Sequence, residues 1–256
     1  MSAPPAIDLE GEIVRAVAAL DVEAVRAAFR RQNEFVFLER WVPAAVVEAC
    51  LADVARVRPL IHRNYIPRHK KGGSVSAFDL AREAPAISAL YRSPALQTFL
   101  RQITGRPLLE CPPGDPHAYA LYFYTEPGDH IGFHYDTSYY NGARFTVLVG
   151  LIERSSSRLV CDPYRSLGRD GDPFEARPPS PVSLATEPGT LVLFNGDRLW
   201  HAVTPLGPDE ERVSLTLEYV TDPGMSPFRR FVSHMKDSIA YFGFRSVFGG
   251  GRRRRA

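Results

Sequence analysis

The sequence has few cysteines and no long apolar run, and each shortage excludes a class of protein. Its three cysteines, Cys50, Cys111 and Cys161, are odd in number, widely spaced and without a CxxC pair. This pattern argues against a disulfide framework and a zinc knuckle. No run of about eighteen apolar residues is present, and residues 1–10 lack the charged and then apolar pattern of a signal peptide. We therefore expect a soluble, cytoplasmic protein with no membrane partner.

An excess of charge of one sign is also missing. The formal net charge is +2, and the four arginines at 252–255 contribute more positive charge than this, so the rest of the chain is slightly acidic. A nucleic-acid-binding domain usually carries a basic face, so we expect no nucleic-acid partner. Residues 249–256 are interpreted as a disordered Arg-rich tail. No feature of the sequence specifies an oligomeric state.

The pattern of apolar residues changes once, near the middle of the chain. Residues 1–110 are predicted to be mostly helical, acting as support and lid, because residues 9–31 show helical spacing and Pro43 begins a second such stretch. Residues 111–222 contain short aromatic and β-branched runs separated by turn sequences. A final helix is predicted over 223–248. We therefore expect 1–256 to form a single domain, mainly β with flanking helices, as a β-sandwich or jelly roll.

Two segments are predicted to be loops. The stretch Arg165 to Pro181 is rich in Gly, Pro, Asp and Arg and could close over a binding site. The basic segment 68–74, with Lys70 and Lys71 at its centre, is expected to be a solvated loop that could also bind a substrate carboxylate.

The most informative motif is His134-Tyr135-Asp136, followed much later by a lone His201. Residues two apart on an extended strand point to the same face, so His134 and Asp136 can converge on one ion, and His201 can complete the set from another strand. Two imidazoles and one carboxylate leave about three positions open on a six-coordinate metal. An iron(II) ion that binds a keto acid and dioxygen together needs these open positions.

A second motif follows on the strand after His201. Arg212 has the fork geometry that binds a carboxylate through two hydrogen bonds, and Ser214 lies two residues along on the same strand face. The strand predicted here alternates strictly, so Thr216 and Glu218 would share that face.

Together these motifs resemble the iron(II)- and 2-oxoglutarate-dependent dioxygenases over about residues 122–219, the catalytic half. The resemblance implies a double-stranded β-helix of the cupin type over 111–222. It makes His134, Asp136 and His201 the iron ligands, and Arg212 with Ser214 the clamp for the distal carboxylate of 2-oxoglutarate. Size and motif spacing are loosely similar to enzymes that hydroxylate or halogenate free amino acids.

The resemblance also implies cofactors and a reaction. Fe(II), 2-oxoglutarate as co-substrate and O2 would be required, with Tyr122 or Tyr124 helping to hold the co-substrate. The implied reaction couples decarboxylation of 2-oxoglutarate to succinate with oxidation of the substrate, most simply hydroxylation. Halogenases of this superfamily have a small residue in place of the acid, so Asp136 counts against halogenation. Nucleic-acid repair members have Arg-x-Asn-x-Thr-x-Arg on the clamp strand, and Ser214 and Glu218 depart from that pattern.

Candidate substrate-binding residues each have a structural alternative. A carboxylate on the inner face of a barrel is costly unless paired, so Glu218 could meet a cationic group of the substrate or form an ion pair with Arg144. Thr216 would lie beside it. Tyr139 could form a pocket wall or pack in a hairpin, and His117 could lie at the pocket mouth or be structural.

Three functions from different classes are compatible with these residues. The first is an oxygenase acting on a small polar metabolite such as an amino acid or its derivative, with Glu218 and one or more of Arg144, Lys70 and Lys71 as recognition groups. The second is a hydroxylase of peptide or protein side chains. The third is a cupin-like metal-binding protein without oxygenase activity, which the presence of Arg212 and Ser214 opposes.

Overall fold

The structure is a computed structural model that describes residues 7–165 and 181–225. All but the first three residues of the predicted C-terminal helix at 223–248, the Arg-rich tail at 249–256 and nearly all of the predicted loop from Arg165 to Pro181 lie outside the described residues. Within the described ranges, no helix is both long and apolar enough to cross a membrane.

The helices of the described part all lie in the first 104 residues. They are α1 (Leu9–Ala18), α2 (Val22–Arg31), α3 (Ala44–Val57), α4 (Ala77–Glu83), α5 (Pro85–Arg92), α6 (Pro94–Thr104) and a short 3-10 helix (Arg58–Leu60). The apolar pattern over residues 9–31 is divided between α1 and α2 because the Asp21 side chain accepts a hydrogen bond from the Ala24 amide at 3.0 Å and starts a new helix.

Within the described ranges, twelve strands form the sheet. They are β1 (Phe35–Leu38), β2 (His62–Ile66), β3 (Lys70–Val75), β4 (Leu109–Glu110), β5 (Tyr119–Tyr124), β6 (His130–His134), β7 (Arg144–Arg154), β8 (Leu159–Asp162), β9 (Val182–Leu184), β10 (Leu191–Asn195), β11 (Trp200–Val203) and β12 (Glu211–Val220).

The strands follow the order β1-β10-β7-β12-β5-β3-β6-β11-β8-β9, with β2 added to β3 and β4 to β12. Every pairing is antiparallel. The non-consecutive neighbours are those of a jelly roll. The strand β3 joins the two halves, because its first residues pair with β6 and its last residues pair with β5.

The first 110 residues contribute more strand than the sequence suggests. The basic segment predicted as a solvated loop contains β3, which pairs with three other strands. Lysine and glycine have low strand propensity, so the segment carries no strand signal of its own. Its glycines serve close packing: a Cβ at Gly73 would lie 2.5 Å from the Ile61 side chain. Tertiary pairing therefore decides the structure of this segment.

The β12 strand separates the main core from the site. Val213, Leu215, Leu217 and Tyr219 are fully buried and belong to the apolar cluster that includes the helices. The alternate residues Ser214, Thr216 and Glu218 line a cavity on the other face. A second apolar cluster, which includes Leu148, Phe194 and Val203, packs on this inner side. The alternation predicted from the sequence thus places the polar residues of β12 inside the sheet.

Candidate metal centre and active site

The strand register brings the two histidines of the predicted metal set together. On the β6–β11 pair, His134 lies directly opposite His201, and their ring centroids are 4.3 Å apart. Asp136 lies just beyond the end of β6 rather than within the strand. Its carboxylate is 3.3 Å from Nε2 of His134 and 3.8 Å from Nε2 of His201. One potential ligand atom from each of the three residues lies within 4.8 Å of the others.

Both imidazoles are oriented by backbone carbonyls two residues before them in the chain. Nδ1 of His134 is 2.9 Å from the Gly132 carbonyl oxygen, and Nδ1 of His201 is 3.1 Å from that of Leu199. A ring nitrogen next to a carbonyl oxygen carries the proton and donates it, so in the neutral imidazole Nε2 is the nitrogen that can bind a metal ion. The two Nε2 atoms lie beside the Asp136 carboxylate, and this donor set fits a divalent metal ion such as iron(II).

The mutual contacts of the three residues shift their acidities. Burial and the charge of the facing histidines act in opposite directions on Asp136, and the histidines hold the pKa of its carboxyl well below the usual range. Burial lowers the pKa of His201. For His134, the hydrogen bond and charge of Asp136 outweigh burial and raise the pKa. An ionised carboxylate beside a neutral imidazole is the state that binds a metal ion.

The candidate clamp lies on β12, opposite two tyrosines. The register pairs Arg212 with Tyr124 and Ser214 with Tyr122. Arg212 is fully buried, and its Nη1 is 3.2 Å from a carboxylate oxygen of Glu153, which is itself 2 % exposed. Among the described residues, Nε and Nη2 of Arg212 and the hydroxyl of Ser214 have no hydrogen-bond partner. Buried polar atoms are rarely left in this state, so the group fits a carboxylate ligand.

The sequence missed Glu153, because the β7 strand contains an irregularity. Arg212 is opposite Glu153, while Ser214 is opposite Gly150, so β7 has one more residue than β12 between these pairs. A bulge of this kind reverses which side chains face inward. Strict alternation from Thr146 would have placed Glu153 on the opposite face from the cavity. The bulge instead supplies the counter-ion of Arg212.

The cavity lies between the two halves of the sheet. It has about 520 Å³ of empty space out to its mouth and is lined by both polar and apolar side chains: Tyr122, Tyr124, Ile131, His134, Asp136, Thr146, Leu148, Leu159, Phe194, His201, Val203, Ser214, Thr216 and Glu218. Arg212 itself is not a lining residue; its guanidinium carbon is 6.0 Å from the Tyr124 ring centroid.

The predicted substrate residues divide into two groups. Glu218 and Thr216 line the cavity, whereas Tyr139, Arg144 and His117 do not. Glu218 is in an ion pair with Arg144, with 2.9 Å between Nε and Oε2, which is the structural alternative that the sequence left open. Burial raises the pKa of Glu218 to about 6 although Arg144 opposes the shift.

The two lysines predicted as recognition groups lie on opposite faces of β3. Lys71 donates a hydrogen bond to the Pro127 carbonyl at 2.8 Å and approaches Glu126 and Asp129. Lys70 lies over the Tyr122 ring, with its Nζ 4.7 Å from the ring centroid. Within the described part of the chain, Lys70 forms neither a hydrogen bond nor an ion pair. Burial lowers its pKa to about 8, with Asp136 opposing the shift.

Comparison with solved structures shows that the fold is a known one. The α-ketoglutarate-dependent epimerase SnoN from nogalamycin biosynthesis aligns with a TM-score of 0.65 and 18% identity, over 81% of this chain and 86% of that chain. A prolyl hydroxylase from Trichoplax adhaerens, in complex with a peptide of hypoxia inducible factor, aligns with a TM-score of 0.62 and 15% identity, over 86% and 94% of the two chains. A prolyl-4-hydroxylase from Pseudomonas putida aligns with a TM-score of 0.58 and 17% identity, over 79% of this chain and 100% of that chain.

The protein has the fold of the 2OG-Fe(II) oxygenases. This confirms the predicted jelly roll and, at the level of the fold, the resemblance seen in the motifs. Residues 17–143 also match the sequence profile of the family described as Halogenase D, a match that covers just under half of the chain and includes His134 and Asp136. No curated protein has significant sequence similarity to the chain.

Proposed function

We propose that this protein is an iron(II)- and 2-oxoglutarate-dependent oxygenase that hydroxylates a small polar metabolite carrying a carboxylate, such as an amino acid or its derivative. One observation carries the proposal: the fold places a set of two histidines and one carboxylate in the same cavity as Ser214, beside the buried, incompletely bonded Arg212. A metal-binding protein without oxygenase activity has no need of this second feature.

Two groups of residues have separate roles in this proposal, one binding the metal and the other binding the co-substrate. His134, Asp136 and His201 would hold iron(II), with both imidazoles kept in the required tautomer by their carbonyl partners. Arg212 and Ser214 would bind the distal carboxylate of 2-oxoglutarate. When bound, iron(II) supplies the chemistry by which O2 and 2-oxoglutarate convert a C–H bond to C–OH, with succinate and CO2 as the other products.

The apolar part of the cavity has a separate role. Leu148, Leu159, Phe194 and Val203 line it beside the metal ligands. Apolar walls exclude water, which strengthens the electrostatic contacts to the co-substrate and protects reactive species from hydrolysis.

The test of the cofactor chemistry is spectroscopic. Iron(II) and 2-oxoglutarate are added to the protein without oxygen, and the weak visible charge-transfer band of a keto acid chelated to iron(II) is measured. We expect the band in the native protein and a roughly hundredfold higher 2-oxoglutarate requirement in Arg212→Ala, because two charge-assisted hydrogen bonds are lost. Arg154→Ala, which removes an exposed guanidinium from the end of β7, is the matched control. Iron-loaded native protein without the band would contradict the proposal.

Lys70 is the group that favours an acidic substrate. Its ammonium is partly buried, close to Tyr122, and has no counter-ion at bonding distance among the residues described here, whereas Arg144 and Glu218 already pair with each other. A substrate carboxylate would provide the missing charge.

A screen for succinate release tests this role of Lys70. Candidate amino acids and related acids are compared with their amides, and Lys70→Met is compared with Lys71→Met, the matched variant on the outer face of β3. We expect Lys70→Met to raise KM at least tenfold for the acid and to leave any amide turnover unchanged. Equal losses for acid and amide would assign Lys70 to packing.

Halogenation is a second candidate reaction, favoured by the match of residues 17–143 to the Halogenase D profile. Asp136 opposes it, because a carboxylate would occupy the coordination position that a halide needs. Mass spectrometry of the products formed in the presence of chloride separates the two reactions, and we expect a mass increase of one oxygen without chlorine.

A further inference from the structure

Asp136 is the member of the metal set that its backbone does not fix. It lies beyond the end of β6, and neither neighbouring strand pairs with it. Two contacts limit its position instead. A Cβ at Gly196 would come within 2.8 Å of the Asp136 Cβ, so the glycine permits the close approach of the two segments. The hydroxyl of Thr146 donates a hydrogen bond to Oδ2 of Asp136 at 2.9 Å.

Thr146 is itself held rigidly. It lies within β7, between Phe194 on β10 and Glu218 on β12, and is 1% exposed. Threonine is branched at Cβ and therefore has few side-chain rotamers. A hydroxyl on such a residue is a fixed point against which a neighbouring carboxylate can be oriented.

The Thr146 hydroxyl has two carboxylates within reach but only one proton to donate. Its Oγ1 lies 2.9 Å from Oδ2 of Asp136 and 2.9 Å from Oε2 of Glu218. The same Oε2 also accepts a hydrogen bond from Nε of Arg144 at 2.9 Å. Because the guanidinium already supplies Glu218 with a donor and a positive charge, the Thr146 proton is available to Asp136.

We propose that Thr146 is a positioning residue for the metal ligand Asp136, and that the Arg144–Glu218 ion pair directs the Thr146 proton toward it. The hydrogen bond engages one carboxylate oxygen, so Asp136 offers the metal its other oxygen. This inference rests on the proposed function, because it requires a divalent ion between His134, Asp136 and His201. Groups that hydrogen-bond to metal ligands commonly change metal affinity by about 10- to 100-fold.

Cobalt(II) binding tests the inference without turnover. The metal-free protein is titrated with Co(II), and the dissociation constant is measured together with the visible absorption of the bound ion, which reports coordination number. We expect Thr146→Val to weaken Co(II) binding about 10- to 100-fold and to change the spectrum, since Asp136 becomes free to bind through either or both oxygens. Thr146→Ser, which restores the hydroxyl, should return affinity to within a few-fold of native.

Two further variants keep the outcome clear. Thr146→Ala removes the hydroxyl without placing a methyl group against the carboxylate, and we expect the same loss. Thr216→Val removes another hydroxyl from the cavity, one that bonds to the Ala120 carbonyl at 3.4 Å, and should leave Co(II) affinity unchanged. Native affinity and spectrum in both Thr146→Val and Thr146→Ala would overturn the inference. Native protein that binds no Co(II) would instead overturn the proposed function.

Discussion

Two buried Arg–Glu ion pairs join the same two strands, and they differ in what they leave unbonded. Arg144 on β7 reaches Glu218 on β12, and the same carboxylate oxygen lies 2.9 Å from the Thr146 hydroxyl. Arg212 on β12 reaches Glu153 on β7, but its Nε and Nη2 have no partner in the described part of the chain. The first pair belongs to a closed network around the candidate metal ligand Asp136. The second has donors left for a ligand that arrives from outside.

The comparison teaches that burial of an ion pair does not by itself indicate a role. Both pairs carry a desolvation cost that only good geometry and further hydrogen bonds offset. In the Arg144–Glu218 pair those bonds are internal, which agrees with the positioning role proposed for it above. In the Arg212–Glu153 pair, Glu153 compensates the charge of the guanidinium, but Nε and Nη2 have no hydrogen-bond partner among the described residues. A carboxylate ligand would supply the missing acceptors.

The largest effect is expected when a candidate metal ligand is removed, because both ion pairs are proposed to serve the metal centre. His201→Ala should weaken Co(II) binding at least a thousandfold, because one of three ligands is lost, and should abolish turnover. The control is His130→Ala, which changes a histidine on β6 that interacts with the Gly128 carbonyl. Isothermal titration calorimetry measures both variants. Full metal affinity in His201→Ala would remove the proposed centre and, with it, the basis of the comparison.

The second prediction distinguishes the two arginines by the stability that 2-oxoglutarate confers. At a co-substrate concentration 100 times its Kd, and with saturating Co(II) under anaerobic conditions, the native protein should gain about 2.7 kcal/mol. We expect Arg144→Met to gain a similar amount and Arg212→Met almost none, as measured by thermal unfolding.

Both arginine variants should also be less stable than the native protein before ligand is added. Removing one partner of a buried pair costs about 3–5 kcal/mol, because the other charge remains uncompensated. An equal response of the two variants to 2-oxoglutarate would mean that the pairs do not differ in the way we describe.

The smallest expected effect concerns the closed pair alone. Burial raises the pKa of Glu218 to about 6 from an ordinary value of 4.5. The folded protein therefore binds the proton more tightly than the unfolded chain does, and this contribution, about 2 kcal/mol, is present below pH 4.5 and is lost as the pH rises through 6.

Urea unfolding of the metal-free protein measures this contribution. As the pH rises from 4.5 to 7, the free energy of unfolding of Glu218→Gln should increase by about 2 kcal/mol relative to that of the native protein, because glutamine cannot ionise. The exposed residue Glu39 provides the control Glu39→Gln, for which we expect no such change. A constant difference between native protein and Glu218→Gln across this range would contradict the assigned pKa.

The sequence predicts the site better than it predicts the strands that carry it. The spacing of His134 and Asp136 and the alternation of β12 are local patterns, and the structure brings these two residues together with the distant His201. The strand at Lys70–Val75 is not a local pattern, since it depends on partners up to about 60 residues away.

The residues missed by the sequence have non-local causes as well. Glu153 faces Arg212 only because β7 bulges, and a bulge has no reliable signature in a single sequence. Thr146 appears in the sequence as an ordinary β-branched strand residue, and its contact with Asp136 depends on how the loop after β6 folds back across β7.

The carbonyls of Gly132 and Leu199 have a consequence for how this architecture can diversify. Each lies only two residues before the histidine that it orients, so the proton state of each ligand is specified within one short strand segment. The rest of the cavity can then be replaced without readjusting the imidazoles. This local orientation of the two histidines is consistent with the variety of enzymes that share the fold. They include an epimerase, a carbocyclase and prolyl hydroxylases.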